Sequence, residues 1–500
     1  MKKMKEEAGE GAWGALRTLF LWGTVAVCAV MGEVQEPGGS ARPLNLLLVV
    51  VDDLTANALS SYGNTVCQTP HVDALSNRGV RFTRAYCQAT YCGPSRAAML
   101  SGYYPHASRV FGYGSPRAAI GNRATWPEQF RRAGFHTARV SKIFHMDVPG
   151  GIEKGSDGAD DPVSWSERHN SPGPEWQAPG RGETLEGNPG GNLPVVGGNT
   201  FVVVESSLGD LLHSDGKTAS TAIEFVEKRA HSEESWFLAV GFVRPHVPFV
   251  APAAYFEPFL PFEKLVLPPK HESGLATLWA GTPKAGVNYK TSHNMRMDLQ
   301  QQRKALGGYY ACVRYVDAQL GRILSALDRT GSRENTVVVF TSDHGFHLGE
   351  HDFWAKVSLR EESARVPLII SVPGKRAAVC DAIVELQDLY RTTAKLCGVR
   401  VSEHVQGRDL SPLLDDPSLR IRDFAFSVAP MREGFLIREE SWAYLQYGED
   451  GSGGSELYEM NSDPFQHRNR AADPDFQKDV VRLRALLAEK LRQVRNCDLH

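Results

Sequence analysis

Residues 91–102 read Tyr-Cys-Gly-Pro-Ser-Arg-Ala-Ala-Met-Leu-Ser-Gly and place a thiol, an arginine and a helix start within about one turn of each other. Pro94 suits the first turn of a helix, where a missing N–H costs nothing, and Gly102 suits its end. Cys92 then sits at the positive end of the helix dipole, with Arg96 one turn along on the same face. Free backbone N–H groups, a guanidinium and a reactive side chain converge there, which makes an anion site containing a nucleophile. The ordinary reading of a Cys-Gly-Pro step alone is a buried cysteine in a turn. Two further stretches carry paired polar chemistry. Asp52-Asp53 follows an apolar run directly, and two adjacent carboxylates repel unless a cation neutralises them. Ser342-Asp343-His344-Gly345 ends a second such run in the same way.

The elements that must hold these residues are legible as buried strands. Leu44–Val51 is apolar apart from Asn45, as expected of a strand covered on both faces in a parallel sheet. Trp236–Phe242 and Glu334–Thr341 read likewise, and His136–Val140 and Val366–Val372 are further strands. Ligands in open α/β sheets gather beyond the carboxyl ends of such strands. Ser141-Lys142-Ile143-Phe144-His145 and Val243-Arg244-Pro245-His246-Val247-Pro248 occupy such ends. Taken singly, Lys142 and His145 read as solvated and His246 as packing. Helices are expected from Thr69-Pro70 onward, over Glu128–Ala133, Asp215–Arg229 and Met297–Arg329, and from Asp388 to a glycine stop at Gly398. Pro149 to about Gly198 is rich in Gly, Pro, Asp and Asn and reads as long irregular loops. From Asp423 the pattern changes to short strands, Phe424–Val428, Gly434–Arg438, Trp442–Tyr447 and Glu456–Glu459, closed by a helix over Phe476–Arg495.

The string Cys-x-Pro-Ser-Arg followed by x-x-x-Leu-Ser-Gly resembles the signature of the cysteine-type sulfatases of the alkaline phosphatase superfamily, with Ser101 where threonine is more usual. Three other strings resemble the iduronate-2-sulfatase branch at matching spacing: Arg244-Pro-His-Val-Pro-Phe249, Ser342-Asp-His-Gly345, and Leu348-Gly-Glu-His351 followed by Trp354-Ala-Lys356. The resemblance runs in order from about Pro43 to Arg495. It implies an α/β fold, a large mixed, mostly parallel sheet flanked by helices, with a smaller C-terminal antiparallel α+β subdomain. The implied division is a catalytic domain over 43–422 and a subdomain over 423–500. It further implies that Cys92 is oxidised to formylglycine (3-oxoalanine) by a formylglycine-generating or sulfatase-maturating enzyme. Asp52, Asp53, Asp343, His344 and the modified Cys92 would hold a divalent metal. Arg96, Lys142 and Lys356 would hold the sulfate, His145 would act as a base, and His246 would lie near the leaving oxygen as an acid. His71, His347 and His351 read as structural. An oxygen-rich ligand set with flexible carboxylates suits Ca²⁺, with Mg²⁺ second, and suits Zn²⁺ poorly. One hydroxyl of a hydrated aldehyde attacks sulfur in this chemistry, and loss of the proton from the other expels sulfate.

The implied activity is hydrolysis of a sulfate monoester of a carbohydrate, with a 2-O-sulfated uronic acid of a glycosaminoglycan as the preferred substrate. Two other readings compete. One is a phosphonate or phosphodiester hydrolase of the same superfamily; the other is a non-catalytic binding protein in which Cys92 stays a thiol. With 500 residues, 42% hydrophobic and 23% charged, the chain is large enough for a substantial core. Its formal net charge of -3 argues against a nucleic-acid partner, so any anion must be held by local charge. Lys2, Lys3, Lys5 and Arg17 precede the apolar run Thr18–Met31. This predicts a signal peptide over 1–32, and hence export to a periplasmic, extracellular or lysosome-like compartment, with a retained anchor as the second reading. Export permits disulfides, but seven cysteines remain after residue 32, an odd number, and their spacing is unlike that of zinc modules.

Overall fold

The computed structural model describes residues 42–187, 200–269 and 281–499. The predicted signal peptide lies outside them. Among the described residues no helix is long and apolar enough to cross a membrane.

The strands of the first 385 residues are β1 (Asn45–Val51), β2 (Val80–Tyr86), β3 (His136–Ser141), β4 (Glu167–His169), β5 (Gly180–Thr184), β6 (Val202–Ser206), β7 (Trp236–Phe242), β8 (Phe249–Pro252), β9 (Thr336–Ser342), β10 (His347–Leu348), β11 (Trp354–Ala355), β12 (Arg365–Ser371) and β13 (Ala378–Glu385). Eight of them form one sheet in the order β13-β2-β12-β9-β1-β7-β3-β4. Only β12 runs against its neighbours; every other pair in this sheet is parallel. β1 sits near the middle, between β9 and β7, and every one of its residues is buried.

Its alternation shows why. Leu47, Val49 and Val51 pack on one face against the helices Ser214–Arg229 and Leu299–Arg329. Leu46, Leu48 and Val50 pack on the other against Cys92–Ser101, Trp126–Arg132 and Asp388–Leu396. A strand covered by helices on both sides is apolar along its length, and over residues 46–51 that is the pattern the sequence carries, with Asn45 at its start. The long helix starts at Leu299 because Asp298 and Gln301 close a capping box.

A second sheet follows: β14 (Phe424–Ala429), β15 (Gly434–Glu439), β16 (Trp442–Tyr447) and β17 (Ser455–Glu459), antiparallel and in sequence order. The helix Gln477–Arg495 lays Leu483, Leu487 and Leu491 on its Phe426, Ile437 and Tyr444 face. This sheet meets the segment leading into Cys92 directly. Val428 N donates to Gln88 O at 3.1 Å, and Thr90 N donates to Val428 O at 3.0 Å.

The expectation of irregular loops from Pro149 to Gly198 is corrected over its described part. It contains the short helix Gly150–Lys154, the edge strand β4 and the strand β5, which pairs with β6 in a three-stranded sheet with β8. β4 has three residues and β5 is mostly exposed, so neither imposes an apolar pattern. Residues 188–199 of that stretch lie outside the described residues.

Candidate active site

Four neighbouring strands, β9, β1, β7 and β3, end side by side, and each passes directly into predicted site residues. β1 delivers Asp52 and Asp53, β9 delivers Asp343 and His344, β3 delivers Lys142 and His145, and β7 delivers the loop of His246. Asp53 adopts a left-handed backbone with φ 62°, unusual for a non-glycine residue and typical of constrained functional positions. The helix Cys92–Ser101 points its first turn at these ends, and the hairpin β10–β11 brings Lys356 in from the side. Gly93 is required there: a Cβ would lie 2.2 Å from the carbonyl oxygen of Gly112.

Arg96 ties the strand ends together. Its Nη2 donates to Asp52 Oδ1 at 2.9 Å and its Nε to Asp343 Oδ2 at 2.8 Å, while Nη1 reaches the carbonyls of Lys142 and Ile143. Lys142 Nζ donates to Asp52 Oδ2 at 2.6 Å, and Lys356 Nζ to both Asp53 oxygens at 2.6 and 2.9 Å. The Cys92 sulfur lies 3.2 Å from His344 Nε2, 3.3 Å from Lys356 Nζ and 3.9 Å from Asp53 Oδ1. His344 donates through Nδ1 to Gly345 O at 2.9 Å, which leaves Nε2 for the sulfur. His246 Nε2 stands 3.8 Å from Asp53 Oδ2. His145 joins this assembly by its ring alone: it stacks on Tyr113 at 4.1 Å between centroids, and its buried Nδ1 has no hydrogen-bond partner among the described residues.

Burial dominates the electrostatics, and neighbouring charges decide its outcome. Burial opposes ionisation of Asp52, but Lys142 and Arg96 hold its carboxyl well below the usual range. At Asp53 burial wins over Lys356, and the pKa rises to about 7. Burial and Asp52 oppose the Cys92 thiolate, yet Lys356, His344 and Lys142 bring the thiol below its ordinary value. Burial, followed by Lys142, lowers His145 to about 3, so its imidazole is neutral. Burial and Lys356 likewise push His246 far down.

Whether a divalent ion fits can be judged from the donors. Asp52, Cys92, Asp343 and His344 each offer a ligand atom, and these atoms lie within 4.8 Å of one another. The same holds for Asp52, Asp53, Cys92 and His246, a set that includes the histidine expected from the sequence to act as an acid. In each set two buried carboxylates and one imidazole suit a hard ion, whereas the Cys92 sulfur is a softer donor.

Several residues have supporting roles that the sequence motifs do not state. Ser95 Oγ donates to the Asp343 carbonyl, and Tyr309 OH donates to Asp53 O at 2.7 Å. The His246 loop is gripped by Arg244. Its guanidinium donates to the carbonyls of His246 and Pro248 and pairs with Glu175. Asp215 accepts from the backbone N–H groups of Val243 and Arg244 at 2.7 and 2.9 Å. Arg244→Ala is expected to lower kcat and to cost about 3 kcal/mol of stability by leaving Glu175 and two carbonyls without their donor. Steady-state kinetics beside urea unfolding would check both effects. A cavity of about 670 Å³ lined by His106, Phe111, Phe435 and Arg495 lies against the C-terminal sheet and contains none of the predicted site residues.

Comparison with known proteins gives the family of the chain. The family profile Sulfatase matches residues 44–399, and the profile N-sulphoglucosamine sulphohydrolase, C-terminal matches residues 349–496. The chain belongs to the sulfatase family and is a sulfuric ester hydrolase. It is 33% identical over 417 residues to iduronate 2-sulfatase of Homo sapiens, covering 75% of this chain and 73% of that protein. It is 30% identical over 477 residues to a sulfatase of Formosa agariphila, covering 92% and 87%. Among solved structures, the phosphonate monoester hydrolase of Silicibacter pomeroyi shares the fold with a TM-score of 0.72 at 23% identity, covering 90% of this chain and 95% of that one. The expected α/β architecture is therefore the observed one, and it is common to enzymes that cleave different esters.

Proposed function

We propose that this chain hydrolyses the sulfate monoester of a carbohydrate, with a 2-O-sulfated uronic acid of a glycosaminoglycan as the preferred substrate. The observation that carries this reading is the convergence of Cys92 at a helix start with Arg96, Lys142 and Lys356 around one carboxylate cluster. The likeness to iduronate 2-sulfatase supports the choice of sugar. Residues 43–422 form the catalytic part and 423–500 the accessory part of this reading, and the chain acts after export.

Formylglycine made from Cys92 would supply the nucleophile, and a divalent ion, Ca²⁺ before Mg²⁺, held by Asp52, Asp53, Asp343 and His344 would supply Lewis acidity. The chain's own residues bind, orient and move protons. Arg96, Lys142 and Lys356 hold the ester's charge in a pocket where these cations are almost fully buried, so each acts with little screening by water. His145 is neutral and able to accept a proton, the state a base requires. His246 donates through Nδ1 to Val247 O at 2.5 Å, which aims Nε2 at the site. To serve the leaving oxygen as an acid in this reading, His246 must carry a proton on Nε2, against the downward pull of burial and Lys356 on its pKa.

The test is the mass of the Cys92 peptide from protein made in its own host or with a formylglycine-generating or sulfatase-maturating enzyme co-expressed. Replacement of the thiol sulfur by an aldehyde oxygen, with turnover of sulfated uronides, is the expected result. An unmodified thiol under those conditions would overturn the mechanism. Chelation with EDTA is expected to lower activity by more than about tenfold, with recovery on adding Ca²⁺. Full activity in chelator would remove the metal from the proposal.

A further inference from the structure

The described part of the site contains a hydroxyl that the chain leaves unused. Tyr289 sits on a segment strapped to the hairpin that presents Lys356. Asn288 Nδ2 donates to Trp354 O at 2.8 Å, Trp354 N donates to Lys290 O at 3.0 Å, and Thr291 pairs with Phe353. Asn294 Nδ2 holds the Tyr289 carbonyl at 2.8 Å. The backbone is thus fixed from both sides, yet the phenolic oxygen is buried and has no hydrogen-bond partner among the described residues. Burial raises its pKa, and the charges that act on it are those of Lys356, Asp53 and Cys92. The phenol therefore stays protonated and is a donor with nothing to donate to. Such a group costs about 1–3 kcal/mol. Other buried polar atoms, Trp126 Nε1 and Trp236 Nε1 among them, also have no partner among the described residues, but the Tyr289 hydroxyl stands where the charges of Lys356, Asp53 and Cys92 reach it, so the partner it calls for is one that enters the site.

Tyr113 stands at the outer side of the same space. The residue is 52% exposed; one face of its ring lies nearly parallel to His145 at 21°, and the ring meets Tyr91 edge-on at 5.7 Å. Charges on Cys92, Lys356 and Asp53 reach its hydroxyl as well. The face turned away from His145, on a half-exposed residue that the site's charges reach, offers a flat apolar surface, which fits the C–H face of a sugar ring.

Resting on the sulfatase reading of the site, we propose that Tyr289 donates a hydrogen bond to an oxygen of the bound sulfate group and that Tyr113 is the platform on which the ring of the leaving sugar lies. A cyclic sulfate ester then spans the two, with its anionic end at Tyr289 and its ring at Tyr113. Tyr289 acts on every sulfate ester, whereas Tyr113 discriminates by the shape of the leaving group.

The experiment compares Tyr289→Phe and Tyr113→Ala with the parent in the mature, metal-loaded protein. It reads kcat/KM on a 2-O-sulfated uronide and on a short alkyl sulfate, affinity for inorganic sulfate, and the thermal midpoint. Tyr289→Phe is expected to lose about tenfold in kcat/KM on both esters and to bind sulfate more weakly, with an unchanged or raised midpoint, since it removes an unsatisfied group. Tyr113→Ala is expected to lose about tenfold more on the uronide than on the alkyl sulfate, mainly through KM. Parent-like kinetics and sulfate affinity in Tyr289→Phe, or a lowered midpoint marking a structural hydroxyl, would overturn the first assignment. Equal losses on the two esters would overturn the second. If the parent cleaves neither ester, the sulfatase reading fails on its own, and sulfate affinity still decides whether Tyr289 contacts the anion.

Discussion

Replacing Cys92 by alanine is expected to reduce sulfate ester hydrolysis by on the order of 10⁴-fold or more, with the fold intact. The structure separates the two effects. The Cys92 sulfur is surrounded by His344, Lys356 and Asp53, all of which keep other partners when it is gone. Lys356 remains on both Asp53 oxygens, and His344 remains on Gly345 O. Alanine is also a better helix residue than cysteine. The variant should therefore match the parent in circular dichroism while losing turnover. Residual activity within tenfold of the parent would mean that the nucleophile lies elsewhere, and Arg96, Lys142 and Lys356 would need another focus.

The site was legible in the sequence wherever position along the chain and position in space coincide. β1, β7 and β9 each carry an apolar run, over residues 46–51, 236–242 and 337–340, because helices cover both their faces, so the polar residues that follow each run mark the carboxyl edge of the sheet. Asp52-Asp53, the His246 loop and Asp343-His344 are those residues. Sequence does not state that β9, β1, β7 and β3 are neighbours, since strand order depends on crossovers that no local pattern encodes. The same limit hid β13 and the grip of Arg244. Its guanidinium turns back on carbonyls two and four residues away but finds Glu175 sixty-nine residues earlier, inside a stretch whose composition reads as loop. Tyr113 and Tyr289 flank no motif. Each matters through what it stands beside, and their segments carry no periodicity that aims a side chain.

Arg96→Ala is expected to have the second largest effect, because this one guanidinium serves both the fold and the chemistry. It is fully buried between Asp52 and Asp343, two carboxylates from different strand ends, and also donates to two backbone carbonyls beyond β3. Its removal leaves Asp343 with only His344, whose Nε2 stands 3.6 Å from Oδ2, and Asp52 with Lys142. Breaking a buried pair by deleting one partner costs about 3–5 kcal/mol, and losing one charge-stabilising donor costs about 10²–10³ in rate. Both losses should appear, as a lower urea midpoint and a lower kcat. Arg96→Lys restores a charge but not the planar fork that reaches two carboxylates at once, so it should recover part of the stability and little of the rate. A divalent ion neutralises the same oxygens, so added Ca²⁺ should raise the midpoint of Arg96→Ala more than that of the parent. If Arg96→Ala keeps kcat within threefold of the parent and gains no more from Ca²⁺, then Arg96 is a structural tie only. The anion site would in that case rest on Lys142 and Lys356.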